Sequence, residues 1–260
     1  MIMEATFVIG FHSSRTDNLL QVMQFLTKDH SDLIKDCQIV TVCQDYLDFD
    51  KKTKLKNLTK NFALINHIDL ELSEMMLPLV TNTGISHAIS DKVVLLESDR
   101  ILPSDYFRSV IDQIRPKIMI TCKNMKKLKR EFSNEDIELN NFDYKDEHRS
   151  ELNKIGIKNM WSGNTAFWRE DFYECGKMDE NYVGYGWADS DMTNQMLEIG
   201  VQQIFRDEIE LHLWHPNQTF GKKNQKKLFI DNGVRFYKKW NQEYNDWFKE
   251  EIINFKKSLI

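Results

Sequence analysis

Across its first 120 residues the chain alternates short β-branched apolar runs with stretches whose apolar residues recur three and four apart, and this alternation restricts the fold more than any other feature. "ATFVIGF" (5–11) predicts a strand, and "TDNLLQVMQFLTKDH" after it predicts a helix. "CQIVTVCQD" (37–45) and "FALINHI" (62–68) repeat the strand pattern, and "LPLVTNTGISHAIS" (77–90) predicts a helix before the strand that begins at Val93. Strands separated by helices imply an α/β fold, a mostly parallel sheet covered on both faces.

Further along, "IKNMWSGNTAFWREDFYECG" (157–176) predicts strand then helix. "WADSDMTNQMLEIG" (187–200) predicts a second helix, which Gly200 stops. Between Lys123 and Lys158 the composition turns to Lys, Asn, Glu and Asp with few apolar positions, which predicts a charged, mobile excursion. From Gly221 onward the chain is aromatic, basic and roughly helical. At 260 residues one compact domain is expected, and 41% hydrophobic with 29% charged residues excludes a disordered chain. A net charge of −5 gives no global attraction to nucleic acid or anionic lipid. No apolar run approaches the ~18 residues of a membrane span. The N-terminus has no secretory character, and the four cysteines form no CxxC pair, so the expectation is a cytoplasmic protein with reduced thiols.

Ligands of open α/β sheets bind beyond the carboxyl ends of the strands. There "VVLLESDR" (93–100) places Glu97 and Asp99, two carboxylates suited to a divalent cation that grips a diphosphate. The competing reading is a polar turn whose side chains satisfy backbone donors. "GYGWADSDM" (184–192) sets Asp189 and Asp191 at a helix start, where negative charge is favoured and where capping is the alternative role. "LHLWHP" (211–216) places His212 and His215 three apart. Trp161 and Trp187 offer flat apolar faces, or else pack in the core.

These clusters, in this order, resemble the nucleotide-sugar glycosyltransferases of the GT-A fold, in particular the galactosyltransferase and chondroitin-polymerase type with its C-terminal galactosyltransferase motif region. "ESD" stands where that family has Asp-x-Asp. "WSGNTAFWREDFYECGKMDENYVGYGWADSDM" (161–192) resembles its Gly-Gly, strand, helix and "GWG-x-ED-x-D" stretch, and "HLWHP" its histidine-bearing element. The resemblance implies a Rossmann-like, mixed and mostly parallel sheet flanked by helices, with a C-terminal helical extension. It implies domain bounds of 1–216 for the transferase, with 1–122 as nucleotide-sugar half, 123–158 as excursion and 159–216 as acceptor and catalytic half, and 217–260 as extension. The implied activity is inverting, metal-dependent transfer from a UDP-sugar to an acceptor hydroxyl. Asp99 and His215, with His212 and Glu97, would hold Mn²⁺ or Mg²⁺. Phe11, Arg15, Asp45, Glu97 and Asp99 would bind the nucleotide, Asp189 would be the general base, and Trp161, Gly163, Trp187 and Asp191 would meet the acceptor. Two departures stand out: Glu97 replaces the first Asp of the motif, and Ala188 replaces the Glu before the base.

The competing functions are a non-catalytic sugar-nucleotide or glycan-binding module, a nucleotidyltransferase, and a nucleic-acid-modifying glycosyltransferase. The basic aromatic tail from Lys222 to Lys257 is a candidate for nucleic-acid or peripheral membrane contact, or else an amphipathic helical pair packed on the domain.

Overall fold

The computed structural model describes residues 3–29, 31–103, 106–139, 148–151, 164–215 and 223–257. The alternating pattern folds as its periodicity dictates: β1 (Thr6–Phe11), α1 (Thr16–Asp29), the single turn α2 (Ser31–Ile34), β2 (Gln38–Cys43), α3 (Phe49–Thr59), β3 (Leu64–Asp69), α4 (Leu77–Ser86) and β4 (Lys92–Glu97). Asp48 starts α3 by accepting the Lys51 N–H at 2.9 Å, and Pro78 opens α4, where its missing N–H costs nothing. The remainder is β5 (Arg100–Ile101), α5 (Tyr106–Gln113), β6 (Ile118–Lys127), α6 (Asn134–Leu139), β7 (His148–Glu151), β8 (Thr165–Trp168), α7 (Arg169–Glu174), α8 (Ala188–Glu198), β9 (Gln202–His212), α9 (Lys223–Lys239) and α10 (Asp246–Lys257).

One mixed, mostly parallel sheet runs β3-β2-β1-β4-β8-β6-β9-β5, with β7 added to β6. The strands β3, β2, β1 and β4 are mutually parallel, and β8 enters antiparallel between β4 and β6. Side chains divide by the two-residue period of the strands. Phe7, Ile9, Val94 and Leu96 face a core shared with α1 and α5, whereas Val8, Val40, Val42 and Leu95 face a second core shared with α4, α7, α8, α9 and α10. Gly200 ends α8 as expected, at φ +84°, with the Val201 N–H donating back to Met196 at 3.1 Å.

Part of the stretch expected as an excursion, 123–158, forms regular elements. Its first residues continue β6 to Lys127, residues 148–151 pair with β6, and Ile137 of α6 is fully buried against Val22, Phe25 and Leu211. The Lys and Asn residues of this stretch read as loop in composition, although Asn124, and Leu128 just beyond the strand, are buried. Residues 140–147 and 152–163 lie outside the described residues. The C-terminal helices pack on the second core through Phe229, Ile230, Phe236, Tyr237 and Phe248, so their aromatic stripe faces the domain. None of the four cysteines forms a disulfide. Among the described residues no helix is long and apolar enough to cross a membrane.

Candidate active site

The site begins where β4 ends. Glu97 is its last residue, Ser98 and Asp99 turn the chain, and Arg100 and Ile101 pair at once with His212 and Leu211 of β9. This two-residue pairing sets Asp99 beside the histidines, and the Leu213 N–H donates to the Asp99 carbonyl at 2.8 Å to extend it. Asn18 of α1 donates to the Trp214 carbonyl at 3.1 Å and fixes the segment from the other side. The outcome is a cluster: His215 Nε2 lies 3.3 Å and His212 Nε2 3.9 Å from Asp99 Oδ2, and one ligand atom from each residue falls within 4.8 Å of the others. The His212 Nδ1–H points at the Leu213 carbonyl, 3.0 Å away, which leaves Nε2 as a lone pair on the Asp99 side. Burial and the nearby Arg100 hold His212 down to about 4, so its imidazole is neutral at ordinary pH, as a metal ligand would need to be.

A carboxylate and two imidazoles form a mixed O/N set that fits a divalent transition-metal ion better than Mg²⁺, which favours oxygen. Burial raises both Glu97 and Asp99 above the ordinary carboxyl range, with Arg100 working against the rise. A cation placed among them would remove that penalty. Arg100 itself is gripped by Glu210 at 2.8 Å, a pair that is 16% and 1% exposed. Because Glu210 and His212 are two apart on β9 they share one face of the strand, so the ion pair braces the histidine.

Arg15, just before α1, reaches the same place. Burial lowers its guanidinium, Asp99 pulls it back up, and its Nη1 is buried with no partner among the described residues. Asp189, in the first turn of α8, completes the group. Burial first, and the charge of Glu97 second, raise it to about 7. Glu97 and Asp189 line one small cavity of about 30 Å³ with Gly10, Leu77, Thr81 and Met178. Capping is not the role of Asp189, for Trp187 occupies the N-cap position and makes no side-chain cap.

Four further expected site residues are held by packing or by hydrogen bonds. Phe11 is 5% exposed and belongs to the first core. Asp45 sits beyond β2, where burial would raise it but the Ser13 backbone N–H and hydroxyl, with the Cys43 thiol, hold it low. Trp187, expected to meet the acceptor, is enclosed by Phe236, Tyr237 and Phe248 with ring centroids 5.2, 5.3 and 5.0 Å away. Asp191, expected beside it, is 1% exposed and has both oxygens occupied, by Lys239 Nζ and Trp240 Nε1, each at 2.7 Å. Core packing therefore claims Trp187, and an internal ion pair claims Asp191. Trp161 and Gly163 lie outside the described residues.

The sequence reading missed three residues. Tyr185, 44% exposed and stacked on Phe229 at 6.2 Å, is the open aromatic face of the "GYGW" turn, and its phenol is raised by burial and by Asp189. Asn164 is 1% exposed, accepts the Glu97 N–H on Oδ1 at 2.9 Å, and keeps Nδ2 without a partner among the described residues. Arg100, the third, follows the acidic motif directly in "ESDR", but nothing local marks its pairing with Glu210, which depends on the pairing of distant strands.

Residues 149–215, which include Asp189 and both histidines, match the family model described as the N-terminal domain of galactosyltransferase. No curated protein matches the chain. Among solved structures it is similar to GalNAc-T7 with UDP, GalNAc and Mn²⁺, with 16% identity and a TM-score of 0.66 over 95% of this chain and 50% of that one. It is similar also to the mannosyltransferase PcManGT from Pyrobaculum calidifontis in complex with GDP-Man and Mn²⁺, with 14% identity and a TM-score of 0.61 over 94% and 66%. S. aureus TarS 1-349 in complex with UDP-GlcNAc gives 11%, 0.60, 97% and 71%. The chain thus spans half the length of GalNAc-T7. Together these likenesses define the class: the chain has the GT-A glycosyltransferase fold. Within that class its 149–215 segment resembles the galactosyltransferases.

Proposed function

We propose that the protein is an inverting, metal-dependent glycosyltransferase that moves a sugar from a UDP-sugar to an acceptor hydroxyl. One observation carries this reading: Glu97 neighbours both the strand-end cluster of Asp99, His212 and His215, a metal-ligand set, and the perturbed Asp189, a base poised near neutrality. Asp99, His212 and His215 would hold the cation, Mn²⁺ by its donor set, and Glu97 would stand against the cation or the ribose. Bound there, the cation supplies charge neutralisation to the diphosphate leaving group.

The chain's own residues supply the rest. Arg15 brings a guanidinium with a free Nη1 to the phosphates. Asp189, near 7, matches the optimum for a base working at neutral pH. It takes the proton from the acceptor hydroxyl as that oxygen bonds to the anomeric carbon, and the bond to the diphosphate oxygen breaks with its electron pair leaving on UDP. Attack from the base side, opposite the leaving group, inverts the centre and needs no covalent glycosyl-enzyme. Tyr185 takes the stacking place that Trp187 cannot fill. Ala188 is buried at 7% exposure, so the position before the base contributes packing and no hydrogen bond to the acceptor.

The test is calorimetric titration of UDP with Mn²⁺ and again with EDTA, followed by transfer assays over a set of UDP-sugars with the parent and Asp189→Asn. Metal-dependent UDP binding with transfer lost only in the variant supports the reading. No binding in either condition, or full transfer by Asp189→Asn, overturns it.

A further inference from the structure

The turn that carries Asp189 has a costly backbone. Gly184, Gly186 and Trp187 have φ of +79°, +91° and +74°, and the left-handed region costs a residue with a side chain on the order of 1 kcal/mol. Contacts from α9 hold it there. Asn232, 4% exposed, donates Nδ2 to the Val183 carbonyl at 2.9 Å and lies 3.4 Å from the carbonyl oxygens of Tyr185 and Gly186. Phe229 stacks on Tyr185 and approaches Gly186 so closely that a Cβ there would sit 2.7 Å from its ring. On the helix side of the turn, Lys239 and Trp240 close on the buried Asp191. The metal cluster is carried by other elements, the β4–β5 turn and the end of β9.

We propose that α9 is the template of the acceptor half, with Asn232 and the Asp191–Lys239 pair as positioning residues that set the 183–191 turn and through it the Asp189 carboxylate. The proposal rests on Asp189 being the base. Asn232 collects carbonyl oxygens that α8 and the sheet leave unsatisfied, and Asp191 fixes the first turn of α8 two residues beyond Asp189. The C-terminal helices are then a working part of the catalytic domain and not an appendage to it.

The experiment compares Asn232→Ala and Lys239→Met with the parent, using Asp231→Asn, at an exposed pair with Lys227, as control. Three quantities are read: Mn²⁺-dependent UDP affinity, kcat and donor KM for transfer, and amide hydrogen exchange at 183–191. The expected result is faster exchange at 183–191 and a kcat lower by on the order of 100-fold, the effect of an ångström of misplacement, with UDP affinity and donor KM unchanged. Loss of UDP affinity in step with kcat shows general loosening and overturns the proposal, as does unchanged exchange with unchanged kcat. If Asn232→Ala does not fold, Asn232→Ser, which keeps a donor on a shorter arm, serves the same comparison. If the parent neither binds UDP nor transfers sugar, the functional reading falls separately. Exchange at 183–191 then decides this proposal alone, faster in the variant supporting it and equal overturning it.

Discussion

Asp189→Asn should make the protein more stable while ending transfer, because the folded state holds this carboxylate against its preference. The ordinary value of 3.8 is raised to about 7 by burial and by Glu97. The folded protein thus binds the proton more tightly than the unfolded chain, and stability is lost as pH rises from the unfolded value through the folded one, the whole loss being present above 7. About three pKa units at 1.36 kcal/mol each give about 4 kcal/mol at pH 8. The side chain is only part-buried and water on its open side reduces this to on the order of 2 kcal/mol. For a chain of this size that corresponds to a melting temperature higher by roughly 4–8 °C. At pH 5 the parent's Asp189 takes up a proton in the fold, so the advantage of the amide should shrink. Thermal unfolding of both proteins at pH 8 and pH 5, without metal or nucleotide, reads this directly. A variant no more stable than the parent at pH 8, or an advantage that does not shrink at pH 5, refutes the argument that Asp189 is strained by its site.

Further outcomes follow from the same geometry. Asp99→Ala removes the shared carboxylate of the cluster and should weaken Mn²⁺-dependent UDP binding by at least about tenfold, since even groups behind a metal's ligands carry 10–100-fold; unchanged calorimetric affinity would remove Asp99 from the metal site. Arg100→Met leaves Glu210, 1% exposed, without its partner. It should cost about 3–5 kcal/mol of stability and weaken Mn²⁺ binding as the β5–β9 pairing loosens, whereas a chemical denaturation midpoint equal to the parent's would show the pair to be idle. Tyr185→Ala should raise the acceptor KM and leave the donor KM alone, and equal rises in both would place Tyr185 on the nucleotide side. Below pH 7 the transfer rate should fall with the ionised fraction of Asp189, and a flat profile down to pH 5 would exclude it as the base.

What was legible in the sequence follows a physical division. Strands buried on both faces write continuous apolar runs, so β1, β2 and β4 are visible, and "ESD" at the exit of β4 marks the site because a buried strand has no structural need for two carboxylates. Strands β6 and β9 were invisible or nearly so, because Lys and Asn fill four of ten positions in β6, and Gln, Arg, Asp, Glu and His fill seven of eleven in β9, on faces that composition cannot orient. The aspartates show the same limit more sharply. Asp189 and Asp191 are two apart in one helical turn and look alike as sequence, yet one opens on the cavity shared with Glu97 while the other closes on Lys239 and Trp240. Nothing within ten residues distinguishes them; the difference comes from a helix about 50 positions later in the chain. The aromatic residues of the turn divide the same way. The resemblance put Trp187 against the acceptor, with core packing as the alternative; its indole packs against Phe236 and Phe248, and the neighbouring Tyr185 stays at the surface. In both pairs the residue types are alike in sequence, and the packing of the C-terminal helices decides which member is enclosed and which stays open.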